Sequence, residues 1–117
     1  MKNQLTHFMI TAENVHKSAE FYRDVLGFVI DDETEDWVEM KMENGMELSI
    51  KKQEEGETTG SSGFGFIVND CKKETELLRE KGAVIRKDCE FRKGINRYLT
   101  QFNDPDGNVI WLTQKIK

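Results

Sequence analysis

Four side chains in this sequence carry a reactive or ligand-recognising group that could serve a site: His7, Glu47, Trp37 and Trp111. An imidazole with an ordinary pKa near ~6.5 changes charge around neutrality, and a carboxylate beside it tunes it for proton transfer. His7 is therefore a candidate general base, or one half of an inert hydrogen-bonded pair with Glu47. In the run Met46–Lys51, Met46, Leu48 and Ile50 alternate with Glu47, Ser49 and Lys51, so Glu47 points away from the apolar side. Trp111 is flanked by Ile110 and Leu112 and takes the face opposite to them. An indole there either fills a core or offers a flat surface on which a planar ligand stacks. Trp37 shares its face with Glu39 and Lys41, and reads as a cavity wall, an exposed side chain or one buried in a dimer. Thr11, Arg97 and Gln101 complete the candidate ligand-binding set. Arg92, Lys93 and the loop to Asn96 read as solvated, and His16 as exposed at a helix start.

Other chemistries lack their residues. Gly60-Ser61-Ser62-Gly63 is not followed by Gly-Lys-Ser or Gly-Lys-Thr and opens no helix, so it reads as a linker rather than a phosphate cradle. Cys71 and Cys89 are far apart in sequence and form no C-x-x-C, which predicts free, buried or half-buried thiols. A net charge of -5, with basic residues interleaved among acidic ones, offers no electrostatic footprint for nucleic acid. No apolar run is long enough to span a bilayer, and Met1-Lys2-Asn3-Gln4 lacks the charged-then-apolar start of a secretory signal. The expectation is a soluble, cytoplasmic protein with no membrane partner.

The elements that must position the candidates follow from periodicity. Leu5–Thr11 alternates as a strand, with Leu5, His7, Met9 and Thr11 on one face. Asn14 stands where a helix N-cap belongs, apolar residues then recur at helical spacing, and Gly27 supplies the stop. Phe28–Asp31, Asp36–Met42 and Met46–Ile50 read as strands, the last two joined by the turn pair Asn44-Gly45. After a polar connection over 53–62 the order recurs: strand Gly63–Val68, cap Asp70, a helix ended by Gly82, and strand Ala83–Arg86. Arg97–Asn103 and Asn108–Thr113 close the chain as a hairpin through Asp104-Pro105-Asp106-Gly107, where Pro and Gly preset the turn angles.

His7 through Val15 overlays Gly63 through Cys71 with apolar on apolar and cap on cap, so the chain is a repeat in pattern though not in identity. The fold class is α+β, two βαβββ modules forming an open, curled mixed sheet. With 117 residues and 37% hydrophobic content the chain can supply one shared core, which predicts a single domain over 1–117. Its first module covers about 1–52, the linker about 53–62 and the second module about 63–117.

Ser18-Ala19-Glu20-Phe21-Tyr22-Arg23-Asp24-Val25-Leu26-Gly27-Phe28, and Asp104-Pro105-Asp106-Gly107-Asn108 with the apolar strand after it, carry a family likeness. Together they resemble the two signatures of the vicinal oxygen chelate superfamily: glyoxalases, bleomycin-resistance proteins and ring-cleaving dioxygenases. The resemblance covers essentially the whole chain. It implies a concave face holding a divalent metal and a small substrate, and a homodimer whose cavities often combine modules of different subunits. It also implies metal ligands at four strand positions, which fall on His7, Glu47, Gly63 and Trp111. Only His7 and Glu47 can ligate, and two protein ligands rarely hold a divalent ion against water. The expected cofactor is thus none, or a weakly bound divalent metal at the remnant pair.

Three functions fit this pattern. The first is a small-molecule-binding protein that sequesters a planar or aromatic compound without metal. The second is a glyoxalase-type lyase or isomerase using His7 and Glu47 with a loosely held metal. The third is a structural or regulatory dimer whose pocket is filled by its own side chains.

Overall fold

Asn14 and Asp70 behave as their types dictate: each lies in extended backbone, and each side chain accepts a hydrogen bond of 3.1 Å from the N–H three residues on, Lys17 and Lys73. In the computed structural model, which describes Leu5, residues 7–58, Gly60 and residues 63–116, these caps open the two helices. The first half runs β1 (His7–Ala12), α1 (Val15–Asp24), β2 (Val29–Glu33), β3 (Trp37–Lys41) and β4 (Glu47–Lys52). The second runs β5 (Gly63–Ile67), α2 (Cys71–Glu80), β6 (Val84–Arg92), β7 (Arg97–Asn103) and β8 (Val109–Lys115). Gly27 and Gly82 end the helices at φ of 77° and 88°, a region closed to most side chains.

Each half forms its own four-stranded mixed sheet, in the orders β1-β4-β3-β2 and β5-β8-β7-β6, and neither sheet closes into a barrel. The first and last strands of each unit pair in parallel and the others antiparallel. Contacts divide the chain into two compact units, 1–60 and 61–117. No helix among the described residues is long and apolar enough to cross a membrane.

In the first unit, Ile10, Val38, Met40, Leu48 and Ile50 are buried on the sheet face that meets Val15, Ala19 and Tyr22 of α1. Tyr22 is fully buried, with its ring centroid 5.5 Å from that of Phe28. In the second unit Phe102, Ile110 and Leu112 play the same part against Cys71, Thr75 and Leu78 of α2. Period two then sends the alternate residues of every strand to the other face, where the candidates lie.

Several boundaries differ from the periodic reading, most of them by one or two residues. β1 begins at His7, with Leu5 outside it and Thr6 outside the described residues. β2 extends to Glu33 past a bulge between Ile30 and Asp32. β6 runs nine residues rather than stopping at Arg86, because bulges between Ile85 and Lys87 and between Lys87 and Glu90 break the alternation by which a strand is recognised.

The second bulge places Cys89 at φ 44° and turns it toward the helix. The Thr75 hydroxyl donates to the Cys71 carbonyl at 2.6 Å, so its contact with Thr100 Oγ1, also 2.6 Å, must be one it accepts. Thr100 Oγ1 is left to accept from the Cys89 N–H and the Cys71 thiol, both at 3.1 Å. Burial, then the hydrogen bond to Cys71, push the Cys89 thiol from 9.0 to about 11. Its reactive thiolate is thus depleted at neutral pH, and iodoacetamide at pH ~7.5 should label the native protein on the order of 100-fold more slowly than the urea-unfolded chain. Because the folded value lies above the unfolded one, the stability tied to this group is lost as pH climbs from about 9 to 11. Prompt labelling of Cys89 in the native protein would contradict this account.

Candidate functional site

On the open face of the first unit the ladder sets His7 directly against Glu47, and Glu47 against Lys41. Imidazole, carboxylate and ammonium therefore stand abreast on three adjacent strands, His7 exposed and Glu47 half-buried. The next row holds Met9, Ser49, Glu39 and Asp32. Here Glu39 is a fixed acceptor: the Trp37 indole N–H donates to its Oε1 at 2.5 Å, and the Ser49 hydroxyl lies 2.9 Å from both oxygens. Trp37 is thus a half-buried side chain tied to its own strand, and the polar faces of Ser49 and Glu39 explain how a serine is buried there.

The third row, Thr11, Lys51 and Trp37, is met by the connecting segment. Thr11 donates to the Thr58 carbonyl at 2.9 Å, and Lys51 Nζ reaches both Glu57 oxygens at 3.1 and 2.9 Å. This salt bridge holds the Glu57 carboxyl below the usual range and raises Lys51. The segment is anchored to the sheet up to Thr58, while Ser61 and Ser62 of the expected linker lie outside the described residues. His16, expected to be exposed, is half-exposed and pairs with Glu33 Oε1 at 2.5 Å.

In the second unit Trp111 stands between Gly65 on β5 and Gln101 on β7, and beyond Gln101 comes Lys87. Gly65 makes room for it: a Cβ at that position would lie 3.2 Å from Trp111 Cβ and 3.3 Å from its carbonyl oxygen. Ile110 and Leu112 are buried on the helix side while Trp111 is half-buried on the open side. The Lys87 ammonium sits 5.7 Å from the centroid of its ring, within cation–π range. Trp111 and Leu99 from the sheet, with Phe91, Arg92, Lys93 and Ile95 from the end of β6 and the turn after it, line a groove of about 470 Å³. That is the size of a small-ligand site, and Phe91 and Ile95 are 47% and 56% exposed beside it.

Arg92 and Lys93, expected to be simply solvated, therefore belong to a groove wall, and Arg92 is half-buried because β6 extends further than its sequence suggests. Arg97 lies outside the lining but is paired across the ladder with Arg92. Glu39, Phe91, Leu99 and Lys87 were not legible as site residues. Glu39 and Lys87 could have been found by projecting strand faces sideways, whereas Phe91 sits past two bulges where no face pattern survives.

The repeat-related ligand positions also need adjustment. His7 faces Glu47, but Gly63 faces Val109, and Trp111 lies two residues further along, opposite Gly65. A two-residue offset keeps the face, so alternation alone cannot detect it. Neither Val109 nor Trp111 can ligate a metal. The donors present do not fit the four-ligand site implied by the likeness, and no group of three His, Cys, Asp or Glu suited to a metal occurs among the described residues.

The chain belongs to the Glyoxalase/Bleomycin resistance protein/Dioxygenase superfamily, whose profile matches residues 4–112. It is 29% identical over 126 residues to the uncharacterized protein YraH of Bacillus subtilis, covering 92% of this chain and 94% of that one. Solved structures share the fold. TnmS3, an antibiotic binding protein from Streptomyces sp. CB03234, has a TM-score of 0.84 at 20% identity, covering 98% of both chains. A superfamily member from Sphaerobacter thermophilus has a TM-score of 0.81 at 23% identity, covering 98% of this chain and 99% of that one.

Proposed function

We propose that the protein binds a small planar compound on the open face of its second unit, with Trp111 as the stacking surface. The observation that carries this is that Trp111 lines a groove of about 470 Å³ instead of filling the helix-side core, in a place that Gly65 keeps clear for it. A half-buried indole that lines a groove is a platform on which an aromatic ring can stack. The likeness to an antibiotic binding protein is in keeping with capture of a compound.

The test is a titration of tryptophan fluorescence with a panel of flat aromatic compounds. The expected response is a quench or blue shift that persists in Trp37→Phe and is altered in Trp111→Phe. No response to any compound would count against the proposal.

Glyoxalase-type lyase or isomerase chemistry remains the second reading, and one observation favours it: His7 and Glu47 face each other in the ladder. They offer two donors, enough for an exchangeable metal or a proton relay but short of a tight site. The proposed assembly is a homodimer, since β1 and β5 are sheet edges bearing the exposed Met9 and Ile67, and edges of this kind are normally covered. Sedimentation at micromolar concentration should give about twice the 13.6 kDa chain mass, and a monomer would refute it.

A further inference from the structure

Charge is divided unequally along the chain. Residues 1–60 carry six Lys and Arg against fourteen Asp and Glu, whereas residues 61–117 carry eleven against eight. An acidic protein thus has a unit with net charge +3, and much of its excess lies beside the groove.

Across β6, β7 and β8 the ladder sets Arg92 against Arg97, and Arg97 against Lys115. Like charges directly opposite one another destabilise a sheet, so three cations abreast call for a counter-charge. The nearby carboxylates supply little of it. Asp88 is bound to Arg79 at 2.8 Å, and Glu90 forms only a half-exposed ion pair with Arg92 at 3.7 Å, without a hydrogen bond. Arg92 Nε is buried with no hydrogen-bond partner among the described residues, an unspent donor in a groove wall. Lys87 has no ion pair among the described residues, and its ammonium rests over the Trp111 ring.

We infer that the ligand of this groove is an aromatic anion: a flat ring bearing a carboxylate, sulfonate or phosphate, stacked on Trp111 with its acidic group drawn to Lys87 and Arg92. This rests on the stacking site proposed above and adds the ligand's charge. On binding, Lys87 exchanges a cation–π contact for an ion pair, and Arg92 gains the acceptor it lacks. Guanidinium forks suit planar acidic groups in particular.

Calorimetric titration with 2-naphthoate and 2-naphthamide, which share ring and shape but differ in charge at pH ~7, tests the inference. Naphthoate is expected to bind at least about tenfold more tightly at low salt, the scale of hydrogen bonds to charged groups. That ratio should shrink in high salt, which screens half-exposed cations. It should fall partway in Lys87→Gln and close to one in the Lys87→Gln/Arg92→Gln variant, the ratio of the two probes cancelling whatever either substitution does to the groove that they share. Equal binding of the two probes, or a preference for naphthamide, overturns the aromatic-anion assignment and leaves the Trp111 platform standing. Failure of the wild-type protein to bind either probe overturns the platform and the assignment together.

Discussion

Asp104→Ala is expected to destabilise the chain by about 3 kcal/mol, because it strands buried donors rather than removing an apolar contact. Asp104 and Asn108 are 5% and 1% exposed. Asp104 Oδ1 accepts from the backbone N–H groups of Asp106 and Asn108, both at 2.9 Å, and Oδ2 accepts from Asn108 Nδ2 at 2.8 Å. Alanine would leave these donors without that carboxylate in a place that water reaches poorly. A fall in Tm of about 10 °C or more should follow, read by circular dichroism during thermal unfolding. Asp104→Asn keeps one acceptor oxygen but turns an amide against the Asn108 amide, so its loss should be roughly half as large. A change below about 1 kcal/mol in Asp104→Ala would show that the turn does not depend on this network.

The signature Asp104-Pro105-Asp106-Gly107-Asn108 is thereby given a structural task. Its carboxylate fixes the turn from which β8 departs, and β8 sets the ladder that places Trp111 opposite Gly65. The motif lies outside the groove lining and acts on the groove through register.

The repeat was legible because its signals are local. Asn14 and Asp70 bond the N–H groups three residues ahead of them, and Gly27 and Gly82 adopt the positive φ that ends each helix. The open faces were legible too, since period two alone puts Glu47 and Trp111 opposite their buried neighbours. What could not be read was lateral. Which residue stands beside Trp111 depends on the offset between β5 and β8, and a two-residue slip preserves every face assignment. The bulges in β6 hid more, because they let Lys87 face Trp111 across Gln101 and carry Phe91 and Arg92 to the groove from a segment whose alternation is broken. Trp37 is the converse case. Its indole is committed to Glu39 two residues away, a contact within one strand that no motif marks.

For Trp111→Ala the expected result is a split between binding and folding. A planar ligand should lose on the order of 1 to 3 kcal/mol of affinity, the usual worth of stacking on an aromatic platform, while Trp111→Phe keeps much of it. Folding stability should fall by only about 1 to 2 kcal/mol, less than the ~3 to 5 typical of a large aromatic removed from a core. The smaller figure follows from the half-buried position of Trp111 and from an open side that surroundings need not collapse to fill. Trp37 provides the control, since its hydrogen bond to Glu39 lies in the first unit and leaves it as an emitter in every Trp111 variant. Titrating wild type, Trp111→Phe and Trp111→Ala with one responsive compound, alongside urea unfolding of the same three proteins, separates the two quantities. If Trp111→Ala were instead to lose ~3 to 5 kcal/mol of stability and no compound gave a response in wild type, the indole would be filling space, and a dimer with an occupied pocket would account better for this chain.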